Sequence, residues 1–249
     1  MEMKTYLLLF GVIIFFSCKK AEDRKCLKFA GDESERIVNV DIDIDTLFLY
    51  DNLYYSLIQG EEAKVVLSGG ENLLSHINLD FSNGTLTITD ENKCKFLRSY
   101  KNKIHAKIYV DSISYIYYEG GKELKSIDTL RSNEMRLIIR DGAGSTDLTL
   151  RNGYTSAIVT HGFGDFTLRG STQIGFLNCN TNSFCDTRSF QVVDELIVKS
   201  NTVGKMLINA NQTKLFADIL QRGNIEYVGY PTSISINSFG EGQLIDLNN

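Results

Sequence analysis

The chain has 249 residues, 43% of them hydrophobic and 23% charged, enough apolar matter for one full core and too much for a disordered chain. Its 26 basic and 31 acidic residues leave a net charge of −5, which offers no attractive field to a phosphate backbone and argues against nucleic acid as a partner. One proline, no tryptophan and 20 glycines, with β-branched and aromatic residues spread along the chain, predict strands closed by glycine and asparagine turns.

In chain order, the first feature is an apolar run from Tyr6 to Phe16 behind Lys4, ending in Phe15-Phe16-Ser17-Cys18. It is too short for a helix crossing a bilayer core of roughly 30 Å, so it reads as the apolar region of a signal peptide. A small residue before a cysteine at that point resembles the bacterial lipobox, with Phe16 where that motif prefers a smaller residue. Residues 1–17 are therefore expected to be removed, leaving Cys18 as a lipid-modified N-terminus. Lys19 to Lys25 is charged and has no apolar period, which reads as a tether; residues 18–36 are assigned to it. The expected location is the cell envelope, anchored by lipid to the outer membrane, facing either the periplasm or the exterior.

Cys26, Cys94, Cys179 and Cys185 remain, and in an oxidising compartment four cysteines allow three fully paired connectivities. A Cys26–Cys94 bridge would pin the tether to the first strands, and a Cys179–Cys185 bridge would close one turn; free buried thiols are the alternative. With no C-x-x-C spacing and three scattered histidines, His76, His105 and His161, no metal site and no cofactor are expected.

Residues 46–50, 54–58, 64–67, 76–81 and 85–88 alternate apolar and polar positions, and Asn83-Gly84 between the last two is a hairpin signal, so this less regular end is expected to cap the fold with antiparallel pairs. Asp41-Ile42-Asp43-Ile44-Asp45 starts like a calcium loop, but Thr46 stands where glycine is needed and Asn52 where the glutamate belongs, so it reads as a strand with one acidic face. Tyr115, Tyr117 and Tyr118, with Tyr54 and Tyr55, are the candidate aromatic strip for a glycan or protein partner.

The second half repeats a turn, a polar residue and a short strand, with the polar residues at Asp147, Asp165, Lys205, Asn224 and Gln243. The spacing is about 19 residues except for one interval of 40 between Asp165 and Lys205, which hides a degenerate coil whose turn is Asn180-Thr181-Asn182-Ser183, its asparagines at positions needing positive φ. Coils of this length predict an all-β fold, a right-handed parallel β-helix in one domain over residues 37–247.

Gly223-Asn224-Ile225-Glu226-Tyr227-Val228-Gly229-Tyr230-Pro231, followed by Gly240-Glu241-Gly242, resembles the closing signature of the GIN-type head domain, an autotransporter-adhesin family common in Bacteroidetes lipoproteins. The matching positions are Gly223, Asn224, Ile225, Tyr227, Gly229 and Pro231, all read as structural. The resemblance implies a β-helix and no catalytic residues. The function expected is a non-catalytic envelope lipoprotein, an adhesin or binding scaffold whose flank meets a glycan or an envelope protein. The alternative is a carbohydrate-active enzyme on the same fold, with Asp147 and Asp165 as stacked carboxylates and His161 as a base.

Overall fold

The computed structural model describes residues 29–92 and 103–248. Residues 1–17, the expected lipidation site Cys18 and both members of the expected Cys26–Cys94 bridge lie outside them. The fold is a β-solenoid of about seven turns, built from two faces that the chain visits alternately.

One face stacks β5 (Ile77–Ser82), β6 (Thr85–Asp90), β2 (Thr46–Asp51), β8 (Tyr115–Gly120), β10 (Glu134–Arg140), the second halves of β11 (Ser145–His161), β12 (Asp165–Thr181) and β13 (Cys185–Thr202), then β15 (Lys214–Ile219) and β17 (Ser233–Ser238). The other stacks β1 (Glu33–Asn39), β4 (Lys64–Gly70), β7 (His105–Val110), β3 (Tyr54–Gln59), β9 (Leu124–Arg131), the first halves of β11, β12 and β13, then β14 (Met206–Asn209), β16 (Ile225–Val228) and β18 (Leu244–Asp246). Pairing is parallel throughout except at one end, where β5–β6, β1–β4 and β4–β7 are antiparallel.

The period-2 pattern explains the stacking. Alternate residues of each strand point inward, and in-register parallel pairing lines like positions up into columns along the interior. On the first face the column Leu86, Leu47, Ile116, Leu137, Ala157, Leu177, Val198, Ala217, Ile236 runs the whole length. No single coil buries its inner residues; each is sealed by its neighbours.

The antiparallel end is a built cap. Asn83 and Gly84 both have positive φ, 49° and 77°, as a two-residue hairpin with the strand twist requires. The short helix α1 (Glu71–Leu74) places Leu73 and Leu74 over the interior, and Arg36 of β1 closes it by donating from Nη1 to the Leu74 carbonyl at 2.9 Å. β1 begins at Glu33, within the stretch assigned from sequence to the tether. Residues 41–45 form a loop and not the acidic-faced strand expected. Only Ile44 turns inward; Asp41, Asp43 and Asp45 are exposed.

Chain order and stacking order differ at this end: the β2–β3 coil sits between the β6–β7 coil and the β8–β9 coil. Nothing in local pattern encodes that insertion. The degenerate turn is also present, but its positive φ, 62°, falls on Thr181 and not on an asparagine. Thr181 holds that strained conformation while its Oγ1 donates to the Gly162 carbonyl of the coil before, at 2.7 Å.

Candidate functional site

Parallel registration brings outward-facing aromatics of β2 and β8 together. Phe48 lies opposite Tyr117 and Thr46 opposite Tyr115, and ring centroids stand 5.5 Å apart for Phe48–Tyr117, 5.8 Å for Phe48–Tyr115 and 5.7 Å for Tyr50–Tyr117. These are ordinary distances for tilted aromatic pairs. The row continues through Ile138 and Ile158 on the next two coils, so a half-buried apolar stripe runs along the outer surface of this face. Burial raises the Tyr117 hydroxyl to about 12, helped by its 2.8 Å hydrogen bond to the Glu119 carboxylate, and burial likewise raises Tyr50. Both phenols therefore stay neutral donors at physiological pH.

The expected strip is corrected in membership. Tyr118 is fully buried, its hydroxyl donating to the Lys122 carbonyl at 2.5 Å and its ring meeting Tyr55 edge-on at 6.2 Å. Adjacent strand residues must point to opposite sides, so Tyr117 and Tyr118 cannot share a surface. Tyr55 is interior for the same reason. Tyr54 faces outward, but on the other face, stacked on His105 at 4.8 Å. Phe48 and Tyr50 replace them. Sequence reasoning missed these two because only the β2–β8 register brings them against Tyr115 and Tyr117; their outward parity within residues 46–50 was the available signal.

Beside this ladder the loops that lead into β2, β4 and β8 form a cleft of about 660 Å³ whose lining includes Asp41, Asp43, Asp45, Glu61, Glu62 and Asp111 alongside Val40, Ile42, Ile44 and Ala63. The Asp45 carbonyl accepts from the Ser114 and Tyr115 amides, which ties the acidic loop to the first rung. Lys64 approaches Glu62 at 3.9 Å, and the charged residues that line the cleft are all acidic. Among the described residues no group of three or more His, Cys, Asp or Glu side chains is arranged to hold a metal ion.

The residues proposed for catalysis are not assembled. Asp165 lies opposite Ser145, and Asp147 opposite Thr167, so the two aspartates are offset by two positions and do not stack. Asp147 is paired with Arg169, and Asp165, its carboxyl raised by burial, accepts from the Phe184 amide at 3.0 Å. His161 is 70% exposed, with Nδ1 2.6 Å from Asp141 Oδ1; the imidazole and the neighbouring Arg140 hold the Asp141 carboxyl below its usual range.

The expected Cys179–Cys185 bridge is absent: both are fully buried free thiols. Each fills a slot in an interior column, Cys179 between Val159 and Ser200, and Cys185 between Phe166 and Met206. The turn between them is closed by backbone and hydroxyl contacts, with Ser183 Oγ donating to the Asn180 carbonyl at 2.8 Å. Burial, then the hydrogen bond with Cys179, pushes the Cys185 thiol far above its normal range.

Of the closing signature, Ile225 and Tyr227 are interior residues of β16, and Pro231 is half-buried just before β17. Gly223 packs against the turn before it, where an added Cβ would stand 2.0 Å from the Gly204 carbonyl oxygen. Gly229 has φ +87° and lies against the Asn211 backbone. Asn224 Oδ1 accepts from the Gln243 amide on the next coil at 2.9 Å.

Residues 44–231 match the family described as "putative auto-transporter adhesin, head GIN domain". The chain belongs to that family. Among solved structures it is similar to a "putative adhesin" from Bacteroides fragilis, with TM-score 0.78, 19% identity, and coverage of 87% of this chain and 97% of that one. A "putative adhesin" from Parabacteroides distasonis superposes with TM-score 0.66 at 16% identity, covering 87% of this chain and 98% of the other. A "putative lipid binding protein" from the same organism reaches 0.62 at 16% identity, with 87% and 97% covered. At such identities the likeness establishes the solenoid fold. No curated protein matches the chain, and among the described residues no helix is long and apolar enough to cross a membrane.

Proposed function

We propose that this head-GIN protein is a non-catalytic, lipid-anchored envelope scaffold whose solenoid flank holds a partner on the Phe48, Tyr50, Tyr115 and Tyr117 ladder. The observation that carries the reading is the ladder itself: four outward aromatic rings in a chain of contacts beside a cleft whose lining includes six acidic residues. Aromatic faces pack against the C–H faces of sugar rings, and carboxylates accept from sugar hydroxyls. The acidic wall repels anionic polymers, so a neutral glycan fits this surface better than a sulfated or uronate-rich one.

The test is binding to a panel of immobilised neutral and acidic glycans by the parent protein and by a Phe48→Ala, Tyr117→Ala double variant. Neutral-glycan binding weakened at least about tenfold in the variant, a loss of roughly 1.4 kcal/mol, is the expected result. Undiminished binding by a folded double variant would remove the ladder from the site. The same panel assayed for released reducing ends addresses catalysis: no turnover above a heat-denatured control is expected. The anchor is tested separately, by a Cys18→Ala variant, which should lose lipid labelling and shift from the membrane to the soluble fraction.

A further inference from the structure

The two ends of the solenoid are finished differently. At the antiparallel end the interior is roofed by α1 and plugged by Arg36, and edge strand β1 carries Glu33, Glu35 and Arg36. Charges on an edge and a polar terminal coil are the usual protection against further strand addition. The opposite end has no such roof, and the charge on its edge strands is confined to the second face, where Asp246 of β18 lies in register with Tyr227. In the interior column from Leu86 to Ala217 every residue is at most 1% exposed, whereas Ile236, the last, is 48% exposed. Ile234 is 46% exposed although Leu215, its partner on the coil above, is 1% exposed. All six residues of β17 are exposed, and Ser233-Ile234-Ser235-Ile236-Asn237-Ser238 carries no charge. Phe239, 79% exposed, and Tyr230, 73% exposed, widen this apolar end.

We propose that this end is a self-association surface on which a second copy of the chain docks tail to tail, β17 adding antiparallel to the β17 of its partner. The strand is self-complementary in one register. With Ser235 opposite its own copy, Ile234 faces Ile236 in both directions, and the interior column continues across the junction without a polar interruption. The two-fold axis of such a pair is normal to the sheet, and the contact is isologous and closes at two copies. A head-to-tail stack fails because the capped end offers an edge bearing charges and a sealed interior.

Size sets the strength. A six-residue strand and two layers about 10 Å apart make an end of roughly 20 Å by 20 Å, about 400 Å² per copy, half of what a standard stable interface buries. An end of this area belongs with weak, transient contacts, so the dimer is concentration-dependent.

The test uses charge at the two-fold. Ser235 is exposed and points away from the interior, so Ser235→Lys and Ser235→Glu leave the fold intact while placing like charges directly opposite each other. Light scattering across a concentration series should show the parent chain passing from monomer to dimer and stopping there. Each single variant should remain monomeric over that range, and an equimolar mixture of the two should recover the dimer. A parent chain monomeric up to about 500 µM, a Ser235→Lys variant that dimerises as well as the parent, or growth beyond two copies would each overturn the proposal.

Discussion

Single atoms decide how closely coils can stack. Gly170 sits where β12 bends from one face to the other, with φ +95°, and a Cβ there would stand 2.1 Å from the Leu150 carbonyl oxygen of the coil above. Left-handed backbone costs a non-glycine residue about 1–2 kcal/mol, and relieving the overlap by shifting packed coils costs about 1–3 more. Gly170→Ala should thus lower stability by about 2–5 kcal/mol in urea unfolding, whereas Gly60→Ala, with nothing within 4 Å of the new carbon, should stay within about 0.5 kcal/mol. Equal behaviour of the two would refute the steric account. The interior thiols give a second residue-scale expectation. Cys185 is fully buried with its thiol pushed far up, and Cys179 is fully buried beside it; the reactive species is the thiolate. Iodoacetamide at pH 8 should leave both peptides unmodified in the native protein and label both in urea, as read by peptide mass spectrometry. Native labelling at the rate of an exposed thiol would contradict their placement.

At the scale of strands and turns, His105 links packing to pH. Its ring stacks on Tyr54, and burial first, then Lys103, Lys125 and Lys107 against an opposing pull from Glu33, lower its pKa below 6.5. The folded state thus resists protonation that the unfolded chain accepts. The contribution of His105 is fully present above about pH 6.5 and is lost as pH falls from there toward its folded pKa. Relative to a His105→Gln variant, the parent protein should lose urea resistance as pH falls below about 6.5, and its His105 resonance should titrate below 6.5; an unshifted titration would sink the argument. These elements also show what local pattern encodes. Period-2 alternation marked β2 to β6, the Asn83-Gly84 hairpin followed from turn chemistry, and the coil length followed from the recurring turn. The Asp41–Asp45 segment alternates as a strand does but joins no ladder, its backbone bonds to neighbouring coils being made at Asp45, so alternation alone misread it. The ladder escaped for a different reason: parity within a strand is local, but the meeting of Phe48 with Tyr117 depends on the β2–β8 register.

For the molecule as a whole, stability is close to a sum over adjacent coils, because each coil is buried only by the two that flank it. The middle coils, formed by β11, β12 and β13, are sealed on both sides, with Leu150, Leu168, Leu177 and Val198 all at 0% exposure. The tail coil is covered on one side and the head is closed by its cap. Opening should therefore cost least at the tail. In native-state hydrogen exchange at protein concentrations low enough to leave the chain monomeric, the amides of β17 and β18 should exchange first. Those of β1, β4 and β7 should be slower, and those of β12 and β13 slowest of all. A flat profile would mean that the solenoid opens only as a unit, and the coil-by-coil account would fail. Raising the concentration supplies the missing neighbour: if the tail docks onto a second copy, protection should rise in β17 and β18 alone, while the capped end and the middle coils keep the exchange rates they had as monomers.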